Sequence, residues 1–189
     1  MSSQLKTYLT PEEYLAIERR AEYRSEYFNG ETFAMVGASR RHNLIAGNIF
    51  GELRQQLKGR PCEAYTNDMR VRIPATGLYT YPDVVVVCGE PEFEDEYIDT
   101  LLNPTLIVEV LSGSTAAYDR GQKFGHYRSI ESLTEYLLVA QDECRIEQFV
   151  KQSDRQWRVT DTCSLESTIE LAFVPCTLQL KEVYDKVSV

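Results

Sequence analysis

The sequence predicts an α/β fold with a central mixed β-sheet flanked by helices, and three observations support that prediction. Residues 81–88 and 104–112 are short, β-branched, apolar runs, which are typical of strands buried on both faces of a sheet. Apolar residues recur at helical spacing between positions 39 and 58, which predicts a long amphipathic helix. Further helical and strand-like segments follow along the chain, and packing helices on a sheet buries the apolar faces of both.

The length and the distribution of apolar residues predict a single domain. A chain of 189 residues suits one domain with a sizeable core, and no internal repeat or long linker divides it. We expect that domain to cover residues 1–189, with its core at about 9–149 and additional strands and a short helix at 150–189. No apolar stretch approaches the roughly 18 residues that span a membrane, so no membrane association is expected. Residues 1–6 have no apolar signal core behind them, so the cytoplasm is the expected location.

The first 35 residues predict a helix followed by a hairpin. Thr10 is a suitable N-cap, Pro11 suits the first helical position and acids follow, so a helix is expected up to residue 22 or 24. Asn29-Gly30 between two aromatic-rich runs is the strongest short hairpin signal in the chain. That turn places Glu31 at the start of the returning strand.

The long helix predicted at residues 39–58 has one apolar stripe, formed by Ile45, Ile49, Phe50, Leu53 and Leu57. His42 lies three residues before Ile45, so it extends the inward-facing stripe near the start of the helix. Two interpretations of His42 stay open. It is either a core histidine bonded to a neighbour or a residue that faces a functional site.

The remainder of the chain predicts mostly strands. After two strands at 62–66 and 69–73, a loop is expected between Gly77 and Pro82, and an acidic, solvated loop or short helix at 90–100. The chain breaks at 112–115, and a helix is expected at 118–129. The later elements are a buried strand at 135–140, strands at 145–150, 157–160 and 168–171, and a short helix at 180–187.

The charge is negative overall but unevenly distributed. A net charge of −9 argues against indiscriminate nucleic-acid binding, which depends on positive charge. Residues 35–75 hold seven bases and three acids, whereas residues 83–99 hold seven acids and no base. A polyanion could therefore approach one side of the molecule and be repelled by another. A solvated mixture of surface charges explains the same counts.

Cysteine and histidine usage restricts the kind of metal site that the chain could form. The five cysteines are scattered and none forms a C-x-x-C pair, which argues against a disulfide framework or a zinc site. Cys88 ends a buried strand and is interpreted as a small core residue. With only two histidines, a histidine-rich transition-metal site is not expected, so any metal should be a hard, oxygen-ligated ion.

Two carboxylates stand in the apolar runs, Asp83 at the start of the first and Glu109 within the second. An ionised carboxylate is costly to bury unless it is paired or bound to a metal. On neighbouring strands, the two residues would direct hard oxygen ligands at one point. Taken singly, Asp83 could cap a turn after Pro82 and Glu109 could form a salt bridge. Together they predict a metal site.

The helix predicted at 118–129 has a polar face. Asp119, Lys123 and His126 follow one another at i, i+4 and i+7, which places them on one side, with Tyr127 beside them. An exposed helix face with an Asp–Lys pair explains the same spacing.

Several of these segments together resemble a known family. They are Asn29-Gly30-Glu31, His42, Tyr81-Pro82-Asp83-Val84, Glu109-Val110-Leu111-Ser112 and Asp119-Arg120-Gly121-Gln122-Lys123-Phe124. The pattern resembles a large bacterial family of restriction endonuclease-like proteins, one branch of the PD-(D/E)xK nuclease superfamily, and it covers roughly residues 9–149. The resemblance implies a restriction endonuclease-like fold and a single nuclease-like domain.

The resemblance also implies a metal site and a reaction. Asp83 and Glu109 would bind Mg²⁺, with Mn²⁺ as a substitute, and the backbone carbonyl of Val110 would be a further ligand. Glu31 resembles the upstream acid that completes the site in many members. Mg²⁺ suits such a site because it takes a few carboxylates and keeps several waters. The implied reaction is the Mg²⁺-dependent hydrolysis of DNA phosphodiester bonds by an endonuclease.

The sequence departs from the superfamily motif at one position. Leu111 stands where the motif has lysine, two residues after Glu109. Lys123 could supply the missing cation from the following helix, and Gln122 could orient water or phosphate. His42 is a further candidate for the site. By analogy we expect a homodimer, because cleavage of both DNA strands needs two active sites related by a two-fold axis.

Two other functions are compatible with the sequence. The nuclease fold could serve as a binding or interaction module with little turnover, which Leu111 and the net charge would suit. A metal-dependent hydrolase of a small phosphoester would need no basic groove for nucleic acid.

Overall fold

A computed structural model describes residues 8–113 and 116–189. The expectations for residues 1–6 and for a chain break at Ser114 and Thr115 lie outside those residues. The first elements are α1 (Pro11–Glu18), β1 (Ser25–Phe28), β2 (Glu31–Ala34), α2 (Arg40–Gln56), β3 (Cys62–Thr66), β4 (Arg70–Ile73), β5 (Leu78–Thr80), β6 (Val84–Cys88), β7 (Thr100–Leu101) and β8 (Leu106–Leu111). The later ones are α3 (Ala116–Tyr118), a π-helical turn (Asp119–Lys123), α4 (Phe124–Tyr127), β9 (Glu135–Ala140), β10 (Ile146–Lys151), β11 (Trp157–Thr162), β12 (Thr168–Glu170), β13 (Thr177–Gln179) and α5 (Leu180–Val183).

The strands form a central mixed sheet and two smaller sheets. Six strands make the central sheet in the order β11-β10-β9-β8-β6-β3, in which only β8 and β9 run parallel. Five strands make a second sheet in the order β2-β1-β5-β4-β7, and β12 pairs with β13. The short strands β5, β7 and β13 were not predicted, and β5 occupies the place of a predicted loop. Two or three residues are too few to show the alternation by which a strand is recognised in sequence.

The inner strands β6 and β8 of the central sheet are buried on both faces, as their apolar runs predict. Val84 and Val108 lie in the apolar cluster that contains the α2 stripe, whereas Val85 and Ile107 lie in the cluster on the opposite face. Side chains alternate between the faces of a strand, so both positions of each pair must be apolar. Glu109 follows Val108 on the face shared with Ile107, and it is therefore a carboxylate within an apolar environment.

The C-terminal residues belong to the same core as the rest of the sheet. Ile169, Leu178, Leu180 and Val183 pack in the apolar cluster formed by α2 and the central sheet. α2 itself begins close to its predicted start, after Ser39, whose hydroxyl accepts a hydrogen bond from the backbone N–H of His42.

The first helix is shorter than predicted. Its start is confirmed, because Thr10 and Glu13 form a reciprocal capping box. The helix ends at Glu18 because that side chain is buried and accepts hydrogen bonds from Tyr81 Oη (2.9 Å) and from the backbone N–H of Ser25 (2.8 Å). Ser25 is the first residue of β1, so its hydrogen bond to Glu18 holds the end of the helix beside the start of that strand.

The hairpin predicted at Asn29-Gly30 is present. Both residues have positive φ angles, 51° and 85°, as a two-residue hairpin turn requires. β1 and β2 pair so that Phe28 lies opposite Glu31.

The interpretation of residues 90–100 as a solvated acidic surface holds for Glu90, Glu92 and Glu96, which are exposed, but not for the whole loop. Asp95 and Asp99 lie 2.7 and 2.8 Å from the Arg19 guanidinium, and Asp99 lies 3.0 Å from that of Arg70. Arg70 is buried, and a buried cation needs an opposite charge beside it. The acids therefore fix this loop to the second sheet.

Cys88 packs against the apolar cluster of α2 and the central sheet, as its interpretation as a small core residue implies, but it is not a free thiol. Cys62 and Cys88 lie opposite each other on β3 and β6 and form a disulfide. Their positions are 26 residues apart in sequence, and only the register of the two strands brings them together.

The described residues contain no helix with the length and apolar character needed to cross a membrane.

Candidate active site

A cleft of about 640 Å³ lies where β6 begins and β8 ends. These ends are adjacent because the two strands are antiparallel, with Val84 opposite Val108. Five of the seven candidate site residues line this cleft: His42, Asp83, Glu109, Val110 and Lys123. They come from α2, from the two central strands and from the π-helical turn, so the fold brings together residues that are distant in sequence.

The Asp83 carboxylate is held from two sides. Its Oδ2 accepts a hydrogen bond from the backbone N–H of Val110 at 2.7 Å, and its Oδ1 lies 2.7 Å from His42 Nε2. His42 occupies the first turn of α2, so this contact ties the helix to the start of β6. A carboxylate that only capped the turn after Pro82 would bond within its own segment. Asp83 instead accepts a hydrogen bond from the neighbouring strand β8, so it does more than cap that turn.

The Glu109 side chain is only 5% exposed. Its Oε1 accepts a hydrogen bond from Tyr127 Oη at 2.7 Å and lies 2.9 Å from Lys123 Nζ. Neither contact uses Oε2. The salt bridge that was the alternative interpretation of Glu109 is present, and its partner is the lysine that the resemblance indicated.

The acids around Glu109 change its protonation. The pKa of Glu109 is raised to about 8, chiefly by burial; Lys123 acts in the opposite direction, and repulsion from Asp83 and Asp119 contributes to the rise. Repulsion among Asp83, Glu109 and Asp119 is the part of this shift that an added cation would relieve.

This shift predicts how stability depends on pH. Glu109 holds its proton up to about pH 8 in the folded protein but titrates near its ordinary 4.5 when unfolded. Between those values the unfolded state binds fewer protons, so the free energy of unfolding of metal-free protein should fall as pH rises. Glu109→Gln should remove that part of the dependence.

The measurement is urea denaturation of wild type and Glu109→Gln with chelator, at several pH values between 4.5 and 8. If the difference between the two proteins does not change with pH, burial does not raise this pKa.

Lys123 lies in the π-helical turn and is buried among acids. Its Nζ lies 2.9 Å from Glu109 Oε1, 3.2 Å from Glu26 Oε1 and 3.8 Å from Asp119 Oδ1. Burial lowers the pKa of Lys123, but the three carboxylates outweigh it and hold that pKa well above its ordinary value. The exposed Asp–Lys pair that the helical spacing also allowed is excluded, because Asp119 and Lys123 are 4% and 6% exposed. Single π-turns within helices are frequent at functional sites.

A comparison with known proteins assigns the family. The Uma2 family model, described as "Putative restriction endonuclease", matches residues 11–182. The chain belongs to the Uma2 family.

Two relatives and a solved structure are also similar to the chain. Two Synechocystis sp. (strain ATCC 27184 / PCC 6803 / Kazusa) proteins are similar to the chain. The uncharacterized protein sll1609 is 42% identical over 166 residues, or 88% of this chain and 94% of that protein. The uncharacterized protein slr1290 is 39% identical over 151 residues, or 80% and 78% respectively. The crystal structure of a "putative nuclease belonging to DUF820" from Anabaena variabilis ATCC 29413 matches with a TM-score of 0.78, covering 95% of this chain and 99% of that one at 17% identity. This likeness confirms the predicted restriction endonuclease-like fold.

In this Uma2 protein the lysine beside Glu109 comes from the π-helical turn, and Leu111 occupies the strand position where the motif has lysine. Leu111 lies two residues after Glu109, so its side chain shares a sheet face with that carboxylate. Leu111 is 5% exposed and packs in the apolar cluster that contains Tyr127. The π-helical turn lies over the same face and brings Lys123 to Glu109.

Glu26 is a residue of the Uma2 cleft that sequence reasoning missed. Its Oε1 accepts a hydrogen bond from Thr80 Oγ1 and also contacts Lys123 Nζ. Glu31, the upstream acid expected from the resemblance, lies opposite Phe28 in the hairpin. Phe28 in turn stands two residues after Glu26 on β1. Side chains alternate along a strand, so Glu26 and Phe28 lie on one face of β1, and this is also the face of Glu31. The sequence therefore made Glu26 as good a candidate for the upstream acid as Glu31.

The other predicted polar residues lie outside the cleft. Neither Glu31 nor Gln122 belongs to the described residues that line it, and Gln122 is exposed on the π-helical turn. The roles expected for both stay predictions. His126 packs its ring edge-on against Phe28, with 4.8 Å between the ring centroids.

The donor atoms in the Uma2 cleft fit a hard cation that keeps much of its water. Within residues 8–113 and 116–189, no group of three or more His, Cys, Asp and Glu side chains has metal-binding geometry. Asp83 and Glu109 line the cleft and, with the Val110 carbonyl, would offer a smaller donor set that has two carboxylates. Mg²⁺ is commonly held by one or two carboxylates and several waters, so this set suits it better than it suits Ca²⁺ or Zn²⁺.

Proposed function

We propose that this Uma2 protein is a Mg²⁺-dependent endonuclease that hydrolyses phosphodiester bonds in DNA, with Mn²⁺ as a substitute for Mg²⁺. The observation that carries the proposal is the 2.9 Å contact between Lys123 Nζ and Glu109 Oε1, in the same cleft as Asp83. A fixed ammonium beside two carboxylates matches the charges needed to bind a cation and to stabilise a phosphate transition state. Its presence compensates for Leu111.

Asp83, Glu109 and the Val110 carbonyl would hold the metal ion. When bound, Mg²⁺ supplies polarisation of the scissile phosphate and acidification of water. His42 fixes Asp83 Oδ1, and the Val110 N–H fixes Oδ2, so the orientation of this carboxylate is set before any ligand arrives. Tyr127 fixes Glu109 Oε1 in the same way.

Lys123 would act on the charge that develops at the phosphate. Its raised pKa keeps it protonated, and the surrounding carboxylates hold its position, so little reorganisation is needed during the reaction. Burial strengthens its electrostatic effect, because the field of a charge is less screened away from water.

The acids of the cleft also indicate when DNA would bind. Five acids line the cleft, namely Glu26, Asp68, Asp83, Glu109 and Asp119. These acids outnumber the two basic residues of the cleft, Arg24 and Lys123, so without a metal ion they repel a polyanion. We therefore expect that a divalent ion is needed for DNA to bind in the cleft as well as for its cleavage.

The contact between His42 and Asp83 predicts an intermediate effect. His42→Ala should weaken Mn²⁺ binding by about 10- to 100-fold, because it removes the partner that orients a metal ligand. Calorimetric titration measures this. Asn43→Ala is the matched control, since Asn43 lines the same cleft one position along the helix. Equal affinities of wild type and His42→Ala would show that the contact does not orient Asp83.

Incubation of the purified protein with plasmid DNA, single-stranded DNA and a chromogenic phosphodiester tests the proposal. DNA should be cleaved with Mg²⁺ or Mn²⁺ and should stay intact with chelator. Hydrolysis of the small phosphodiester alone would indicate a hydrolase of small phosphoesters. DNA binding without turnover of any substrate would indicate a binding module. Either outcome contradicts the proposal.

We also propose that the protein acts as a homodimer, because cutting both strands of a duplex needs two active sites related by a two-fold axis. Sedimentation at micromolar concentration should show the dimer. A monomer under those conditions, with or without DNA, would contradict this.

A further inference from the structure

A second pocket, of about 290 Å³, lies at the end of α4 beside the turn that joins β10 and β11. Its lining includes Arg128, Ile130, Glu131, Lys151, Arg155 and Trp157. None of these residues lines the active-site cleft. The pocket therefore offers chemistry that the proposed reaction does not use.

The pocket concentrates positive charge on an acidic protein. Arg128, Lys151 and Arg155 face a single acid, Glu131, whereas the whole chain has a net charge of −9. Among the residues that the structure describes, neither guanidinium has an ion-pair partner. Lys151 Nζ donates a hydrogen bond to the Glu131 carbonyl at 2.8 Å, and this leaves its charge without a carboxylate partner. Such a cluster attracts an anion locally even where the distant field is negative.

The turn beside the pocket holds Arg155 in an unusual backbone conformation. Its φ is +66°, in the left-handed region that residues with a Cβ rarely adopt. Hydrogen bonds from Arg155 N–H to Gln152 O (2.9 Å) and from Gln152 N–H to Gln156 O (2.7 Å) close the turn around it. The turn thus carries an arginine beside the pocket at a position where glycine or asparagine would be less strained.

Trp157 supplies an aromatic surface next to these cations. It is half-buried, and it packs edge-on against Phe124, with 5.3 Å between ring centroids and an 85° interplanar angle. That contact fixes the indole at the edge of the second apolar cluster. Nucleobases stack on such side chains, and guanidinium groups bind phosphate through paired hydrogen bonds.

We propose that this pocket binds a nucleotide, with its phosphate on Arg128 and Arg155 and its base against Trp157. The nucleotide is either free or part of a DNA strand that lies outside the cleft. The two sources share the same chemistry, a phosphate beside an aromatic ring. The proposal does not depend on nuclease activity, because the cleft and the pocket share no lining residue.

Fluorescence of Trp157 tests this directly, because it is the only tryptophan in the chain. The full-length protein, without divalent metal, is titrated with inorganic phosphate, adenosine monophosphate and a short single-stranded oligodeoxynucleotide. Adenosine monophosphate should quench the fluorescence saturably and bind about tenfold more tightly than phosphate, the effect of one stacked base. Tighter binding of the oligodeoxynucleotide would identify a strand as the ligand, and weaker binding would identify a free nucleotide.

Variants separate the two contacts. Arg155→Ala should weaken both phosphate and adenosine monophosphate by about tenfold, the effect of one charge-assisted contact. Arg158→Ala is the matched control. Arg158 follows Trp157 in β11, so its side chain lies on the opposite face of the sheet, and the substitution removes the same charge outside the pocket. It should leave both affinities unchanged. By calorimetry, Trp157→Leu should weaken adenosine monophosphate by about tenfold and leave phosphate unchanged.

Three results would overturn the proposal. They are a wild-type protein that shows no saturable quenching with adenosine monophosphate or the oligodeoxynucleotide, equal losses in Arg158→Ala and Arg155→Ala, and equal affinities for phosphate and adenosine monophosphate.

Discussion

Lys123→Ala is expected to slow DNA cleavage by about 100-fold or more, the effect of losing one preorganised electrostatic group. It should not weaken Mn²⁺ binding, because the lysine opposes a cation at the neighbouring carboxylates and donates no ligand atom to it. The large effect on cleavage is expected because Lys123 is buried, with 6% of its surface exposed, and its Nζ lies 2.9 Å from Glu109 Oε1. Single-turnover cleavage and calorimetry measure the two effects separately.

The same substitution should also destabilise the protein. Removing one partner of a buried ion pair costs roughly 3–5 kcal/mol, because the remaining charges stay buried without compensation. An exposed pair would cost only about 0.3–0.5 kcal/mol. Urea denaturation distinguishes these values, and added Mn²⁺ should recover part of the loss because the ion replaces the missing positive charge.

Two further variants test the position of this cation. Lys123→Arg should rescue activity poorly, since a wide planar guanidinium does not replace a compact ammonium in a buried site. Leu111→Lys in the Lys123→Ala background restores the superfamily arrangement on the strand, and it should recover part of the activity. A Lys123→Ala enzyme that cleaves DNA as fast as wild type would contradict the role of Lys123.

Asp83→Asn is expected to reduce cleavage to the level of chelator-treated wild type. The substitution keeps the shape of the side chain but removes the negative charge that a hard cation requires. The matched control is Asp68→Asn, because Asp68 lines the same cleft but is exposed and pairs with Arg24 at 3.3 Å. That variant should retain activity within a few-fold. Full activity of Asp83→Asn, or an equal loss in both variants, would remove Asp83 from the reaction.

The predicted residues that the structure brings into the cleft belong to local patterns. Asp83 and Glu109 interrupt apolar runs, and Lys123 repeats at helical spacing from Asp119. These patterns are informative because a charged side chain in a strand that is buried on both faces needs a partner or a metal ion, and because a helix with one polar face places its polar residues together. The burial of Asp119 and Lys123 could not be predicted, because an exposed polar face has the same spacing.

What the sequence could not predict depends on strand register. Glu26 reaches the cleft because β1 pairs with β2 and β5, and Glu31, on the same hairpin, lies beyond the cleft. The Cys62–Cys88 disulfide likewise requires β3 to pair with β6 in one register. Register follows from pairing across the whole sheet, so single segments of sequence carry little information about it.

The measurement that tests the central claim most directly is calorimetric titration of the full-length protein with Mn²⁺. Wild type and Asp68→Asn should bind the ion, and Asp83→Asn and Glu109→Gln should show no saturable binding while they still unfold cooperatively. If both ligand variants bind Mn²⁺ as wild type does, Asp83 and Glu109 do not form the metal site.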